Sequence, residues 1–408
     1  MSLREHLSHR IGGKDFDADE GYKFTTIKTL KREFLRRFPS VPLLDMGVGE
    51  PDEAAPVCVV EAMKIECGKR ENRFYADNGT FHFLRAAADY MQEIFGVTLN
   101  PETEILHSMG IKPALSILAG CLVNAGDIVL VTTPGYPIFG IQSVYYGGIV
   151  HSLPLLPQND FFPDFSVLSE KILEKVKGVV LNYPNNPTGR SATRSFFETC
   201  VAYARRYGWV LINDAAYAPL SFSSPLSLLA VPGAREVAVE LHSMSKGFNM
   251  TGWRLGWVCG NETLVKAYGK FRETVDSGQF LAIQKAAVRG LQEARPLLAG
   301  QVEKYHRRYR MLRDLLNRKK MEYQEPGAGF FVYAKSPRRV CWKDRWIEFE
   351  SAGAFSRWLL KTLGILLVPW DEAGTYVRFS LTFTASTVEE ERTFFHQLEE
   401  RLAECRFE

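Results

Sequence analysis

Residues 177–217 read KGVVLNYPNNPTGRSATRSFFETCVAYARRYGWVLINDAAY. The opening GVVL is a short apolar run that breaks at a turn rich in Asn, Pro and Gly. RSFFETCVAYARRYG (194–208) spaces its apolar residues at helical intervals. WVLIND (209–214) follows directly as a second apolar run. Strand, amphipathic helix and strand in this order form the repeating unit of a parallel sheet covered by helices. Both strand runs carry near-continuous Val, Ile and Leu, as expected when a sheet is buried on both faces.

The same alternation extends outward. DIVLVTTPGYP (127–137) reads as a strand that stops at Pro134 and Gly135, and REVAVELHSMSK (235–246) as another strand. VVEAMKIECGKR (59–70) and FHFLRAAADYMQEIFGV (81–97) read as helices. The expected fold is therefore α/β, a large domain with a mostly parallel sheet flanked by helices. After Gln292 the texture shifts. A long charged helix over 296–319 is followed by short strands (GFFVYAK, ILLVPW, TYVRFSLT) and helices around FSRWLLKTLG and VEEERTFFHQLEERLAE. That pattern suits a smaller α+β domain. Residues 1–48 then form an N-terminal arm, with a basic helix over 25–38, and part of the small domain. Residues 49–292 form the large domain, and 293–408 the small C-terminal domain.

Bulk properties narrow the class. The chain has 408 residues, 46% apolar and 24% charged, with a net charge of +3. That charge is too small to argue for nucleic acid or an anionic membrane as a partner. The 7 cysteines are odd in number and contain no C-x-x-C pair, so neither a zinc knuckle nor a redox dithiol is indicated. The polar start MSLREHLSHR lacks the apolar core of a signal peptide. No apolar run approaches the ~20 residues of a membrane span. The expectation is a cytoplasmic protein with reduced thiols and no metal.

Ligands of open α/β sheets bind beyond the carboxyl ends of the strands. The reactive side chains just past the strands are Tyr136, Asn186, Asp214 with Tyr217, and Lys246. Lys246 lies in HSMSKGFNMTGWRLGW (242–257), after an apolar strand. A buried lysine loses affinity for its proton and condenses readily with a carbonyl. Ser243 and Arg254 flank it with a hydroxyl and a guanidinium, which suit a phosphate dianion. Pyridoxal 5'-phosphate joins a carbonyl to a phosphate and satisfies both ends. Asp214 would keep the pyridine nitrogen protonated, making the ring an electron sink; alone, it would equally serve as the N-cap of a following helix. Tyr217 and Asn186 can reach the ring hydroxyl, although NNPTG alone would also suit a surface turn. Tyr136 could stack on the ring. HSMGIKPALSILAGCLV (107–123) offers Ser108, Gly110 and a helix start with Pro113, an anion site. MGVGEPD (46–52) faintly resembles a dinucleotide fingerprint, but the third glycine is missing and Pro51 stands where the helix should open. Arg378, in TYVRFSLT, could grip an α-carboxylate or form a buried structural salt bridge. Tyr75 lies on a glycine-containing loop, NRFYADNGT.

The set G-x-G-E-P-D, Y-A-D-N-G-T, P-G-Y-P, N-N-P-T-G, N-D-A-A-Y, S-x-S-K, M-T-G-W-R and V-R-F-S occurs in this order across nearly the whole chain. It resembles the fold-type-I pyridoxal-phosphate aminotransferases. GYKFTTIKTLKREF (21–34), LLDMGVGEPD, ENRFYADNGT, LPLLPQNDFFPD, LNYPNNPTG and VDSGQFLAIQKAA (275–287) resemble the LL-diaminopimelate aminotransferases within them.

The resemblance implies that Lys246 binds the cofactor covalently and shuttles the substrate's Cα proton. It implies that Asp214 pairs with the pyridine nitrogen, and that Asn186 and Tyr217 bind the ring oxygen. Tyr136 would stack on the ring. Ser108, Ser243, Arg254 and the backbone of Gly110, Ile111 and Lys112 would hold the phosphate. Arg378 would bind the α-carboxylate, with Gly49 and Asn186 lining the same pocket. Tyr75 would reach the phosphate of a partner subunit in a homodimer. The implied reaction moves an amino group from LL-diaminopimelate to 2-oxoglutarate, in lysine and cell-wall precursor synthesis. Another donor (alanine, aspartate or an aromatic amino acid) or a β-lyase reaction stays open. Ile111 departs from the pattern, because relatives often carry Ser or Thr there. The missing hydroxyl removes one charged hydrogen bond, worth roughly 1.5–3 kcal/mol.

Overall fold

The computed structural model describes residues 2–17 and 23–408. Gly21 and Tyr22, which open the 21–34 stretch, lie outside the described residues. The chain divides into two compact units, one of residues 50–310 and 324–332, the other of 1–49, 311–323 and 333–408. The division falls inside the helix Ala294–Arg318, whereas the sequence texture changes before that helix begins.

The larger unit is built on seven strands: β1 (Ile105–Ser108), β2 (Ile128–Thr133), β3 (Ile149–Pro154), β4 (Val176–Leu181), β5 (Val210–Asp214), β6 (Ala238–Ser243) and β7 (Gly256–Gly260). Their order across the sheet is β1-β7-β6-β5-β4-β2-β3. All neighbours run parallel except β7, which is antiparallel to both β1 and β6. Alternate residues of a strand enter two different cores. Val179, Leu181 and Leu211 join one, and Val180, Ile212 and Val239 join the other. The sheet is thus buried on both faces, which explains the unbroken apolar runs.

The helix Arg194–Tyr207 shows how the covering layer is encoded. Thr193 caps it, its side chain accepting from the Phe196 N–H at 3.1 Å. Phe196, Phe197, Cys200, Val201 and Ala204 are buried, a single stripe at helical spacing. Gly208 ends it at φ +74°, a conformation that favours glycine.

Three strands escape the sequence pattern. β1 is only four residues long and contains His107 and Ser108. β7 is GWVCG, with glycine at both ends. β3 is an outer strand, largely solvent-facing, with His151, Ser152 and a closing Pro154 in place of an apolar run.

The smaller unit mixes helices and short strands. Val368–Trp370 pairs antiparallel with Tyr376–Ser380. Arg339–Trp342 lies between Arg345–Glu348 and Cys405–Phe407. Leu44–Asp45 pairs in parallel with Ile365–Leu366, so ILLVPW forms two short strands rather than one. The helices Lys23–Arg37, Ala352–Leu363 and Val388–Arg401 complete it. Phe34 of the first packs with Leu360 and Leu366.

The GEPD segment has a structural role. Asp52 is buried and meets Lys304 Nζ at 3.1 Å and Arg308 Nη2 at 2.9 Å. Burial alone would raise its carboxyl, but Arg308 and Lys304 outweigh that and hold it below the usual range. The segment therefore anchors the long helix.

Candidate active site

Sheet register gathers one group of side chains. Ser108 at the end of β1 and Ser243 at the end of β6 both pair with Gly256 at the start of β7. The antiparallel β7 thus brings its first residue to the carboxyl ends of its neighbours, two residues after Arg254. Ser108 is fully buried, and among the described residues its Oγ has no hydrogen-bond partner. Ser243 Oγ accepts from the Ser245 N–H at 3.0 Å and caps the short helix Met244–Gly247. Arg254 has φ +56° and donates from Nη1 to the Thr251 carbonyl at 2.7 Å. Its Nη2 lies against Gly110, where an added Cβ would come within 2.3 Å.

Gly110, at φ +82°, heads the helix Ile111–Leu122 with no side-chain cap. Helix N–H groups, a guanidinium and a buried orphan hydroxyl together form an anion cradle. The Ile111 side chain turns into the core and Lys112 faces solvent, so what these two offer the cradle is backbone N–H.

A second group lies beside it. Asp214 ends β5 opposite Leu241 of β6 and is only 5% exposed. Burial pushes its carboxyl up to about 6, against the Ala216 N–H that donates to Oδ1 at 3.1 Å and the charge of Lys246. Lys246, half-buried three residues past β6, places Nζ 5.9 Å from the centre of the Phe330 ring. Tyr217 is buried, its ring meeting the edges of Phe330 and Phe331, each at 5.4 Å. Asn186 donates its N–H to Asn182 Oδ1 at 3.0 Å, and Asn182 Nδ2 donates to the Asp214 carbonyl at 2.9 Å. Asn182 therefore ties the NNPTG turn to the end of β5. Tyr136 is half-buried past β2, against the core that contains Ile138.

Three neighbours of these residues are not marked in the sequence. Asn182 sits one residue past β4 inside a run of Asn and Pro, and strand-end position alone could have flagged it. Phe330 and Phe331 read as the start of an ordinary strand. They reach Tyr217 because Gly327 N–H donates to the Gly189 carbonyl and Gly329 N–H to the Leu220 carbonyl, both at 2.9 Å. Gly189 permits this approach; a Cβ there would sit 2.8 Å from the Phe331 carbonyl oxygen.

The remaining candidates lie apart in the chain. Tyr75 is 83% exposed on a loop whose Ala76 and Asp77 N–H groups donate to the Ser277 carbonyl at 3.3 and 3.2 Å. Gly49 and Arg378 belong to the smaller unit. Arg378 is buried and donates from Nη2 to the Gly47 carbonyl at 2.9 Å. Among the described residues no cluster of His, Cys, Asp or Glu could hold a metal, and no helix is long and apolar enough to cross a membrane.

The pattern described by "Aminotransferase class I and II" matches residues 41–394. An LL-diaminopimelate aminotransferase of Methanocaldococcus jannaschii is 43% identical over 387 residues, covering 94% of this chain and 91% of the relative. One from Methanococcus maripaludis is 41% identical, covering 99% and 98%. A solved Thermus thermophilus aspartate aminotransferase mutant superposes with a TM-score of 0.84 at 26% identity, covering 97% of this chain and 99% of that one.

Fold, site and relatives define a pyridoxal 5'-phosphate-dependent transaminase, with amino-acid and 2-oxo-acid substrates. More narrowly, the chain belongs to the class I and II aminotransferases. The residues present fit that cofactor. The orphan Ser108 hydroxyl and the Gly110–Arg254 cradle suit its phosphate, and the buried Asp214 carboxyl suits its ring nitrogen.

Proposed function

We propose that this transaminase takes its amino group from LL-diaminopimelate and passes it to 2-oxoglutarate, in lysine and cell-wall precursor synthesis. The observation that carries the substrate is the near-full-length similarity to two enzymes named for it. The active form is a homodimer in the cytoplasm.

The bound cofactor supplies an electron sink for the negative charge that develops at the substrate's Cα. The protein's own groups do the rest. Lys246 would hold the cofactor by its carbonyl carbon, and its amine would take and return the proton at the substrate's Cα. Asp214 holds a proton on the ring nitrogen, where its charge and burial make the pair strong. Tyr217 and Asn186 donate to the ring oxygen, and Asn182 keeps Asn186 in place. Tyr136 covers the ring face. Ser108, Ser243, Arg254 and the N–H groups of Gly110, Ile111 and Lys112 hold the phosphate. Arg378 pairs with the α-carboxylate, and Gly49 lines that pocket. Tyr75, too exposed to serve its own chain, reaches the phosphate of the partner subunit.

A half-reaction screen tests the substrate. The loaded enzyme is mixed separately with LL-diaminopimelate, glutamate, alanine, aspartate and phenylalanine while the cofactor's visible absorption is followed. LL-diaminopimelate and glutamate should bleach the band fastest. Faster bleaching by alanine, aspartate or phenylalanine than by LL-diaminopimelate would reassign the donor.

A further inference from the structure

The stretch VDSGQF (275–280) contains a buried glutamine that the mechanism above does not use. Gln279 Nε2 donates to the Trp253 carbonyl, and its Oε1 lies 3.3 Å from His107 Nε2. A carbonyl only accepts, so the amide nitrogen faces Trp253 and the amide oxygen faces His107. The imidazole must then carry its proton on Nε2. Burial, with Arg272 close by, pushes His107 down to about 3, so the ring stays neutral.

Each contact lies one residue before a member of the phosphate cradle: His107 precedes Ser108, and Trp253 precedes Arg254. The peptide Gln279 holds is the one that leads into Arg254, whose φ of +56° is unfavourable for a residue with a side chain. The glutamine is itself fixed. Gln284 Nε2 donates to its carbonyl at 3.1 Å. Asp276 accepts from the Gly278 N–H at 2.7 Å and pairs with the buried Arg272 at 2.7 Å. Arg272 Nη1 in turn donates to the His107 carbonyl at 3.1 Å.

We propose that Gln279 is a positioning residue for the cofactor's phosphate, because its one side chain sets the spacing between Ser108 and Arg254. The inference rests on the reading of those two residues as phosphate holders. It predicts an effect on phosphate recognition and not on the remainder of the cofactor.

The test measures the affinity of the full-length apoenzyme for pyridoxal 5'-phosphate and for pyridoxal, which lacks the phosphate. Gln279→Leu should weaken the phosphate form on the order of 10-fold, while pyridoxal stays within about two-fold. Gln279→Glu keeps the shape and the acceptor facing His107 but, when ionised, has no donor for Trp253. It should show the same selective loss and carries the test if the leucine variant fails to fold. Arg254→Ala serves as the reference. If it abolishes the preference for the phosphate form while both Gln279 variants keep it, the positioning role is overturned and the cradle stands. If Arg254→Ala also keeps the preference, the cradle itself is misplaced and the inference falls with it.

Discussion

Asp214 is a carboxyl enclosed by protein, with one backbone N–H and one nearby ammonium to offset burial. Its folded-state value of about 6 lies above the ordinary 3.8. Below 3.8 it is neutral in both folded and unfolded chains. As pH rises through about 6, the folded apoenzyme must ionise a buried group and loses the stability that the neutral acid allowed. The loss is on the order of 3 kcal/mol. Denaturant midpoints of the apoenzyme should therefore fall between pH 4 and pH 7 by more in the wild type than in Asp214→Asn. Parallel pH profiles for the two would show that the carboxyl is not buried in this way. The same variant should still take up cofactor but lose turnover by roughly 10²–10⁴-fold; near-normal kcat would remove Asp214 from the chemistry.

At the scale of elements, the strand ends explain how much of the site was legible. β2, β4, β5 and β6 announce themselves by short runs rich in Val, Ile and Leu, and Tyr136, Asn186, Asp214 and Lys246 lie at their ends or a few residues beyond. β1, β3 and β7 do not, because four residues with a His, an exposed edge and a glycine-bounded run carry no period to read. Phe330 and Gln279 were illegible for another reason. They approach the site through turns and buried polar contacts formed far along the chain, and local pattern does not encode such approaches. The covering helix Arg194–Tyr207 is locally encoded and carries none of the candidate site residues. Thr193→Ala, which deletes one N-cap, should cost about 1 kcal/mol in denaturant unfolding and leave kcat unchanged. A fall in kcat without loss of stability would mean that this helix end reports to the site.

At the scale of the whole molecule, the larger unit exposes several large apolar side chains. Phe74, Tyr75, Val275 and Phe280 face solvent on two loops joined through the Ser277 carbonyl. Isolated apolar residues on a surface are ordinary, but four on two joined loops suit the proposed subunit contact. Sedimentation should give the mass of two chains. Tyr75→Ala should leave that mass unchanged and weaken cofactor retention, because the proposed function has it reach the partner subunit's phosphate. A fully active single chain would overturn the shared site.

The outer strand β3 has a consequence of another kind. A sheet that ends in a flat, apolar strand invites extended segments of other molecules to add themselves to it. Here the last strand mixes His151 and Ser152 among its residues and closes on Pro154, which has no N–H to offer. A half-made neighbour in a crowded cell finds a poor template there. One of the strands that the sequence pattern does not announce thus gives the sheet an edge that other chains extend poorly.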